Sequence, residues 1–188
     1  MDAFFLPLVA AALAEWGDKT QIVAMLLAMR FAKPIPILIA IAAAAAINMS
    51  IAAFGGSLLT QMIAPDAALL FLALGFLFAA VGAFIPFRDP DAGEGWKIGA
   101  FATSFAAFLA VEFGDKTQFI TAGFGAISPH WPFAAAGATL GVLLGCAPAV
   151  MLGSALRETL PLPTIRKGIG ALFLLISSII AINAFSLI

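Results

Sequence analysis

The 188-residue sequence has no tyrosine, one cysteine, one histidine and few charges, Asp, Glu, Lys and Arg together making 10% of the chain. Each scarcity removes a class of function. A lone Cys146 excludes an intramolecular disulfide and a thiolate metal cluster, and its place in an apolar run reads as core packing. A net charge of −1 offers no basic face for nucleic acid and no acidic tail for a basic partner. No Gly-x-x-x-x-Gly-Lys-Ser/Thr, His-Glu-x-x-His or Gly-x-Ser-x-Gly sequence occurs, so phosphate-loop, zinc-protease and serine-hydrolase chemistry have no carrier. The start Met1-Asp2-Ala3-Phe4 lacks a positive region, so no removed signal peptide is expected. Nothing points to a resident cofactor or an obligate protein partner.

Apolar residues are what the chain has in excess: 63% of it is hydrophobic and its mean hydropathy is +1.12, a membrane composition. Breaks at Lys33-Pro34, Pro65-Asp66, Arg88 to Trp96, Ser128 to Pro132 and Pro161 to Pro163 leave six apolar stretches, 3–30, 35–62, 67–87, 98–127, 132–157 and 164–187. Each reaches the roughly 20 residues that cross a bilayer. The expected fold is therefore all-α, one integral membrane domain over 1–188 with six transmembrane helices. The first and fourth stretches overrun that length, so tilt or a local break is expected in them. Seven cations, Arg30, Lys33, Arg88, Lys97, Arg157, Arg166 and Lys167, all fall on the side of loops one, three and five, against Asp2, Asp66 and His130 on the other. The positive-inside bias makes the loaded side cytoplasmic and places both termini outside.

Inside two of these stretches a charged heptapeptide recurs. Glu15-Trp16-Gly17-Asp18-Lys19-Thr20-Gln21 returns as Glu112-Phe113-Gly114-Asp115-Lys116-Thr117-Gln118, identical at six of seven positions with an offset of 97. The same offset relates Gly56-Ser57 to Gly153-Ser154, whereas Leu6 to Ala14 agrees with Thr103 to Val111 only at Ala10. The chain reads as two copies of a three-helix unit, repeat one 1–87 and repeat two 97–188, joined by a short cytoplasmic loop 88–96. Three is odd, so the second copy enters the membrane from the opposite side. Inverted repeats of this kind are a transporter plan that suits alternating access and brings both motifs to the midplane.

A charge at the bilayer centre costs roughly 2.5 to 3.5 kcal/mol on insertion scales, so the motif charges must face one another, water or an ion. On an uninterrupted helix Glu15, Asp18 and Lys19 share one face with Gln21 a turn on, and Glu112, Asp115, Lys116 and Gln118 repeat that face. Gly17 and Gly114 permit close helix approach. Thr20 and Thr117 lie on another face and become ligands only if the helix unwinds. Lys19 is placed to pair with Glu15 and Lys116 with Glu112, or else a lysine swings in to replace the cation during the return step. Four carboxylates against two ammoniums leave −2, which one divalent cation balances and which two protons balance in its absence. Exchange of one for the other follows. Carboxylate, amide and hydroxyl oxygens suit Mg²⁺, Ca²⁺ and Mn²⁺ rather than Zn²⁺ or Cu⁺. The expected metal-facing set is Glu15, Asp18, Gln21, Glu112, Asp115 and Gln118, supported by Gly17, Lys19, Thr20, Gly114, Lys116 and Thr117.

Glu-x-Gly-Asp-Lys-Thr twice, in the first and fourth of six expected helices, resembles the small cation/proton exchanger family whose eukaryotic members are Golgi Mn²⁺ and Ca²⁺ transporters and whose bacterial members include manganese exporters. The resemblance covers nearly the whole chain. It implies that Glu15, Asp18, Glu112 and Asp115 are cation ligands, with Lys19, Thr20, Lys116 and Thr117 completing the signature. One departure is the central loop Phe87 to Trp96, shorter than in many eukaryotic relatives, which speaks against loop-based regulation and leaves the site intact. The resulting expectation is a bacterial inner-membrane antiporter that expels Mn²⁺, or Ca²⁺, against inward proton flow.

The same residues admit other readings. A pair of helices stapled by salt bridges would balance its charges, and this one leaves two acids in excess. A divalent cation channel also uses acids for selection, and differs from an exchanger in lacking stoichiometric proton coupling. An intramembrane aspartyl protease would place Asp18 and Asp115 on separate helices, but that family's pattern is Tyr-Asp plus Gly-x-Gly-Asp, and a lysine after each aspartate opposes proton sharing. A small-molecule exporter would need a larger polar cavity than Ala, Leu and Phe walls supply. His130 reads as a loop residue, Trp96 and Trp131 as an interfacial belt. Asn48, Asn183, Thr103 and Ser104 read as interhelical hydrogen-bonding groups, and Ala42 to Ala46 with Gly141 and Gly145 as packing surfaces. Arg166, one of the seven cations on the loaded side, is expected to tolerate alanine.

Overall fold

The computed structural model describes residues 2–87, 90, 92 and 95–185. Among these, nine α-helices form and no strand does: α1 Asp2–Glu15, α2 Lys19–Phe31, α3 Pro34–Leu59, α4 Pro65–Phe84, α5 Ala100–Glu112, α6 Lys116–Ile127, α7 Trp131–Leu152, α8 Ser154–Thr159 and α9 Leu162–Ala184. The all-α expectation holds. By length and composition α3, α4, α7 and α9 can each cross a membrane, and α5 is a shorter apolar helix. Large apolar side chains such as Ile35, Phe54, Leu74, Phe133 and Leu175 point outward, which suits a hydrocarbon surround.

The stretches at 35–62, 67–87 and 164–187 appear as single helices with ends shifted by up to a few residues. The stretch at 132–157 divides where Gly153 adopts φ 56°, leaving α8 as a short separate turn. The first and fourth stretches divide at the heptapeptides. Their halves measure 14 and 13 residues in one case, 13 and 12 in the other. Of the central loop 88–96, Arg88 and most of its neighbours lie outside the described residues; Trp96 accepts a hydrogen bond at its carbonyl from Arg30 at 2.6 Å.

The cause of both breaks is local. Gly17 at φ 71° and Gly114 at φ 74° take the left-handed conformation, which costs an L-residue roughly 1–2 kcal/mol and glycine little. Asp18 and Asp115 follow with extended backbone as N-caps of α2 and α6, yet neither uses its carboxylate to cap its own helix. Their side chains are left for something else. Gln21 and Gln118, in the first turns of α2 and α6, reach back: the Gln21 amide oxygen accepts the Gly17 N–H at 3.0 Å, and that of Gln118 accepts the Gly114 N–H at 2.7 Å. A backbone donor stranded by the break is thereby satisfied.

Packing follows the offset of 97. Helix α1 of the first copy lies on α7 of the second and α5 of the second on α3 of the first, while α3 against α7 and α4 against α9 pair equivalent helices of the two copies. Gly137, Gly141 and Gly145 form the face of α7 that receives α1, and a Cβ added at Gly145 would come within 2.5 Å of the Glu15 Cβ. The expected role of Gly141 and Gly145 as packing residues is what the structure shows. Gln21 donates to the Gly145 carbonyl at 2.8 Å and Gln118 to the Asn48 carbonyl at 3.2 Å, so the two acceptors are again 97 residues apart. One equivalence fails. Helix α4 packs along α6, with Gly75 against Phe119 and Gly123 against Leu72, but α2 and α9 make no comparable contact. A cavity of about 360 Å³ separates them, lined by Ile22, Phe87, Leu162 and Arg166 among others.

Candidate cation site

Both helix breaks bring backbone ends and acids to one place: α1 and α5 end at Glu15 and Glu112, and α2 and α6 begin after Asp18 and Asp115. Helix C-termini offer carbonyls and N-termini carry the positive end of the dipole, the polar framework that interrupted membrane helices lend to ion sites. The acids lie in two layers. Asp18 and Asp115 line a cavity of about 190 Å³ together with Lys19, Lys116, Phe78, Phe87 and Arg166. Behind it Glu15 and Glu112 are each 0% exposed.

The closest ion pairs run between the copies. Lys19 Nζ lies 2.9 Å from Asp115 Oδ1. Lys116 Nζ contacts Asp18 Oδ2 and stands 3.5 Å from Asp115 Oδ2. The i, i+4 pairs expected from an unbroken helix, Lys19 with Glu15 and Lys116 with Glu112, do not form because the glycine break turns each lysine onto a new helix axis. The same unwinding brings the threonines in. Glu15 Oε2 accepts from Thr20, its Oε1 accepts from Thr117 at 2.8 Å, and the Cys146 thiol lies 3.8 Å from Oε2. Glu112, by contrast, has no hydrogen-bond partner on either oxygen, although it lies within electrostatic reach of Glu15, Asp115 and Lys116.

The structure therefore brings Glu15, Asp18, Asp115, Lys19, Lys116, Thr20 and Thr117 into direct contact, with Glu112 buried beside them. Gln21 and Gln118, expected among the metal-facing groups, turn their amide oxygens to the glycine N–H groups in this conformation. Among the described residues no three carboxylate, histidine or cysteine groups converge closely enough to grip one ion, since the ammoniums occupy the space between the aspartates. Asn48 bonds between helices as expected, its Nδ2 donating to the Leu109 carbonyl at 3.2 Å and its Oδ1 accepting from Gln118 at 3.1 Å. Thr103 and Ser104 are buried without partners, and Asn183 is exposed.

Arg166 is the group that sequence reasoning missed. Its guanidinium donates to the Gly82 and Ile85 carbonyls, stacks over Phe87 at 4.6 Å, and its Nε stands 3.7 Å from Asp18 Oδ1. The expectation that alanine is harmless there counted the residue only among the cations of one membrane side, whereas its side chain reaches Asp18 and the end of α4. A signal was present: Arg166 and Lys167 fall near the N-terminus of an apolar helix, where the dipole disfavours cations.

The family model described as divalent cation/proton antiporter GDT1 matches residues 3–91 and again 100–187. The chain belongs to this family. A Vibrio cholerae serotype O1 protein named "Putative manganese exporter" is 38% identical over 178 residues, covering 94% of this chain and 89% of the relative. No solved structure matches the chain. The family and the relative are transporters by name, and not enzymes.

Proposed function

We propose that this chain is a secondary transporter that exports a divalent cation, Mn²⁺ before Ca²⁺, in exchange for protons. The observation that carries the reading is the crossed arrangement at the cavity: acids from both copies converge, and each lysine neutralises an aspartate of the other copy. Oxygen donors without thiolate favour a hard cation, and the name of the Vibrio cholerae relative favours manganese. Glu15, Asp18, Glu112 and Asp115 are the proposed ligands. Lys116, lying between two aspartates, acts as the internal stand-in that a cation displaces and that returns after release. Gln21 and Gln118 hold the breaks open, and Gly17 and Gly114 make those breaks possible.

Each broken pair, α1 with α2 and α5 with α6, serves as one crossing, which together with α3, α4, α7 and α9 gives six spans. Two family matches and the paired hydrogen bonds 97 residues apart support a duplicated, inverted architecture with repeats 1–87 and 97–188. The cation distribution supports a bacterial inner membrane with both termini outside. On that orientation the α2–α9 cavity faces the cytoplasm while α4 against α6 closes the other half. A cavity in one half where the matching half is packed supports alternating access over the channel reading.

The test is a metal panel in proteoliposomes under an imposed pH difference. Mn²⁺ flux that follows the proton gradient and moves protons in a fixed ratio is expected; flux indifferent to that gradient would leave the channel reading standing.

A further inference from the structure

We propose that Arg166, which lies outside both heptapeptides, is a positioning residue that sets how tightly the site loads cation from the α2–α9 side. The inference rests on the exchange reading above and adds a third cation to it. Arg166 lines both cavities, the larger one between α2 and α9 and the smaller one over the aspartates, and it stands where they adjoin. A cation approaching through the larger cavity meets this guanidinium before it meets Asp18.

The guanidinium is held from one side and left open on the other. Gly82 and Ile85 carbonyls at the C-terminal end of α4 accept from one nitrogen, the negative end of that helix's dipole, and the Phe87 ring lies against its face. Its Nε, by contrast, is buried without a hydrogen-bond partner and faces Asp18 Oδ1 across 3.7 Å, outside hydrogen-bonding distance. This is attraction without a closed contact. A group so placed neutralises Asp18 in part and still yields to a competitor that binds the carboxylate directly.

Charge bookkeeping gives it a purpose. Four motif acids against two motif lysines leave −2, and Arg166 brings the surplus to −1 if all are ionised. A divalent cation then binds against a site already partly compensated, which weakens loading and eases release. The matching position of the first copy holds no cation. Subtracting 97 from Arg166 leads to Leu69, so the second aspartate has no such guardian and the two sides of the transporter load unequally.

Arg166→Gln and Arg166→Lys are to be reconstituted beside wild type, with Mn²⁺ offered on the Arg166 side at fixed pH and initial flux measured against Mn²⁺ concentration. For Arg166→Gln the KM is expected to fall about fivefold, the scale of one partly screened charge pair. Its maximal rate should fall too, because release slows. Arg166→Lys, which keeps the charge, should return KM toward wild type. Unchanged or raised KM in Arg166→Gln, with wild type exchanging normally, overturns the proposal; a fall in rate alone in both variants means that Arg166 is merely structural and overturns it equally. Direct Mn²⁺ binding to detergent-solubilised Arg166→Gln, read by electron paramagnetic resonance, supplies the affinity if flux is too low to fit. Wild type that fails to couple Mn²⁺ to protons defeats the exchange reading instead.

Discussion

At Gly17 an added Cβ would meet the Leu162 carbonyl oxygen at 2.6 Å and the Arg166 Cβ at 3.0 Å, while at Gly114, its counterpart, nothing lies within 4 Å. The inequality extends through the motif. Lys116 keeps 9% of its side chain exposed and Lys19 35%. Glu15 accepts hydrogen bonds on both oxygens, and Glu112 on neither. Nearly identical residues thus occupy different surroundings, so the difference comes from how α4 and α9 lie against them and not from the motif itself. In an exchanger with two opposed states, the surroundings of one copy preview those that the other takes on.

The strongest challenge to this comparison is to neutralise the acids one at a time. Glu15→Gln, Asp18→Asn, Glu112→Gln and Asp115→Asn should each abolish Mn²⁺ exchange in proteoliposomes while the protein still elutes as a folded species; full activity in any two overturns the ligand assignment. Next come the lysines. Lys116→Gln removes a buried partner from two aspartates and should cost about 3–5 kcal/mol of stability, against at most about 1 kcal/mol for Lys19→Gln, as read from unfolding in detergent. Equal losses would mean that burial does not separate the two copies.

Glycine substitutions probe the same asymmetry through the backbone. Gly114→Ala should show only the roughly 1–2 kcal/mol of left-handed strain, whereas Gly17→Ala adds a clash with the α9 backbone and should lower the melting temperature further. Gln21→Leu and Gln118→Leu test where the copies agree. Both lose the same acceptor for a glycine N–H and the same donor to a carbonyl, so both should lose about 1 kcal/mol. A large difference between them would break the pairing of the two copies at its most regular point.

Composition, the six apolar stretches and the doubled heptapeptide made the helical class and the acid cluster readable in advance. Helix phase did not carry over, because the i, i+4 argument presumed a continuous helix and Gly17 and Gly114 interrupt it. That single change moved Lys19 and Lys116 to the opposite copy and brought Thr20 and Thr117 onto Glu15. The contacts of Thr20 and Thr117 require unwinding, and the lysine partners depend on the same turn. Arg166 was invisible for another reason. Its contacts with Gly82, Ile85, Phe87 and Asp18 span up to 148 residues of chain, and local pattern carries no such information.

Crossed neutralisation also bears on biosynthesis. Asp18 finds its ammonium on Lys116, and Asp115 finds one on Lys19, so the first half to leave the ribosome carries an acid whose mate has not yet been translated. That half stays unfinished in the bilayer until the later helices arrive. A product truncated before residue 116 should therefore be cleared by membrane proteolysis, not persist as a partial carrier, and the fused duplication supplies a mate for each aspartate that waits.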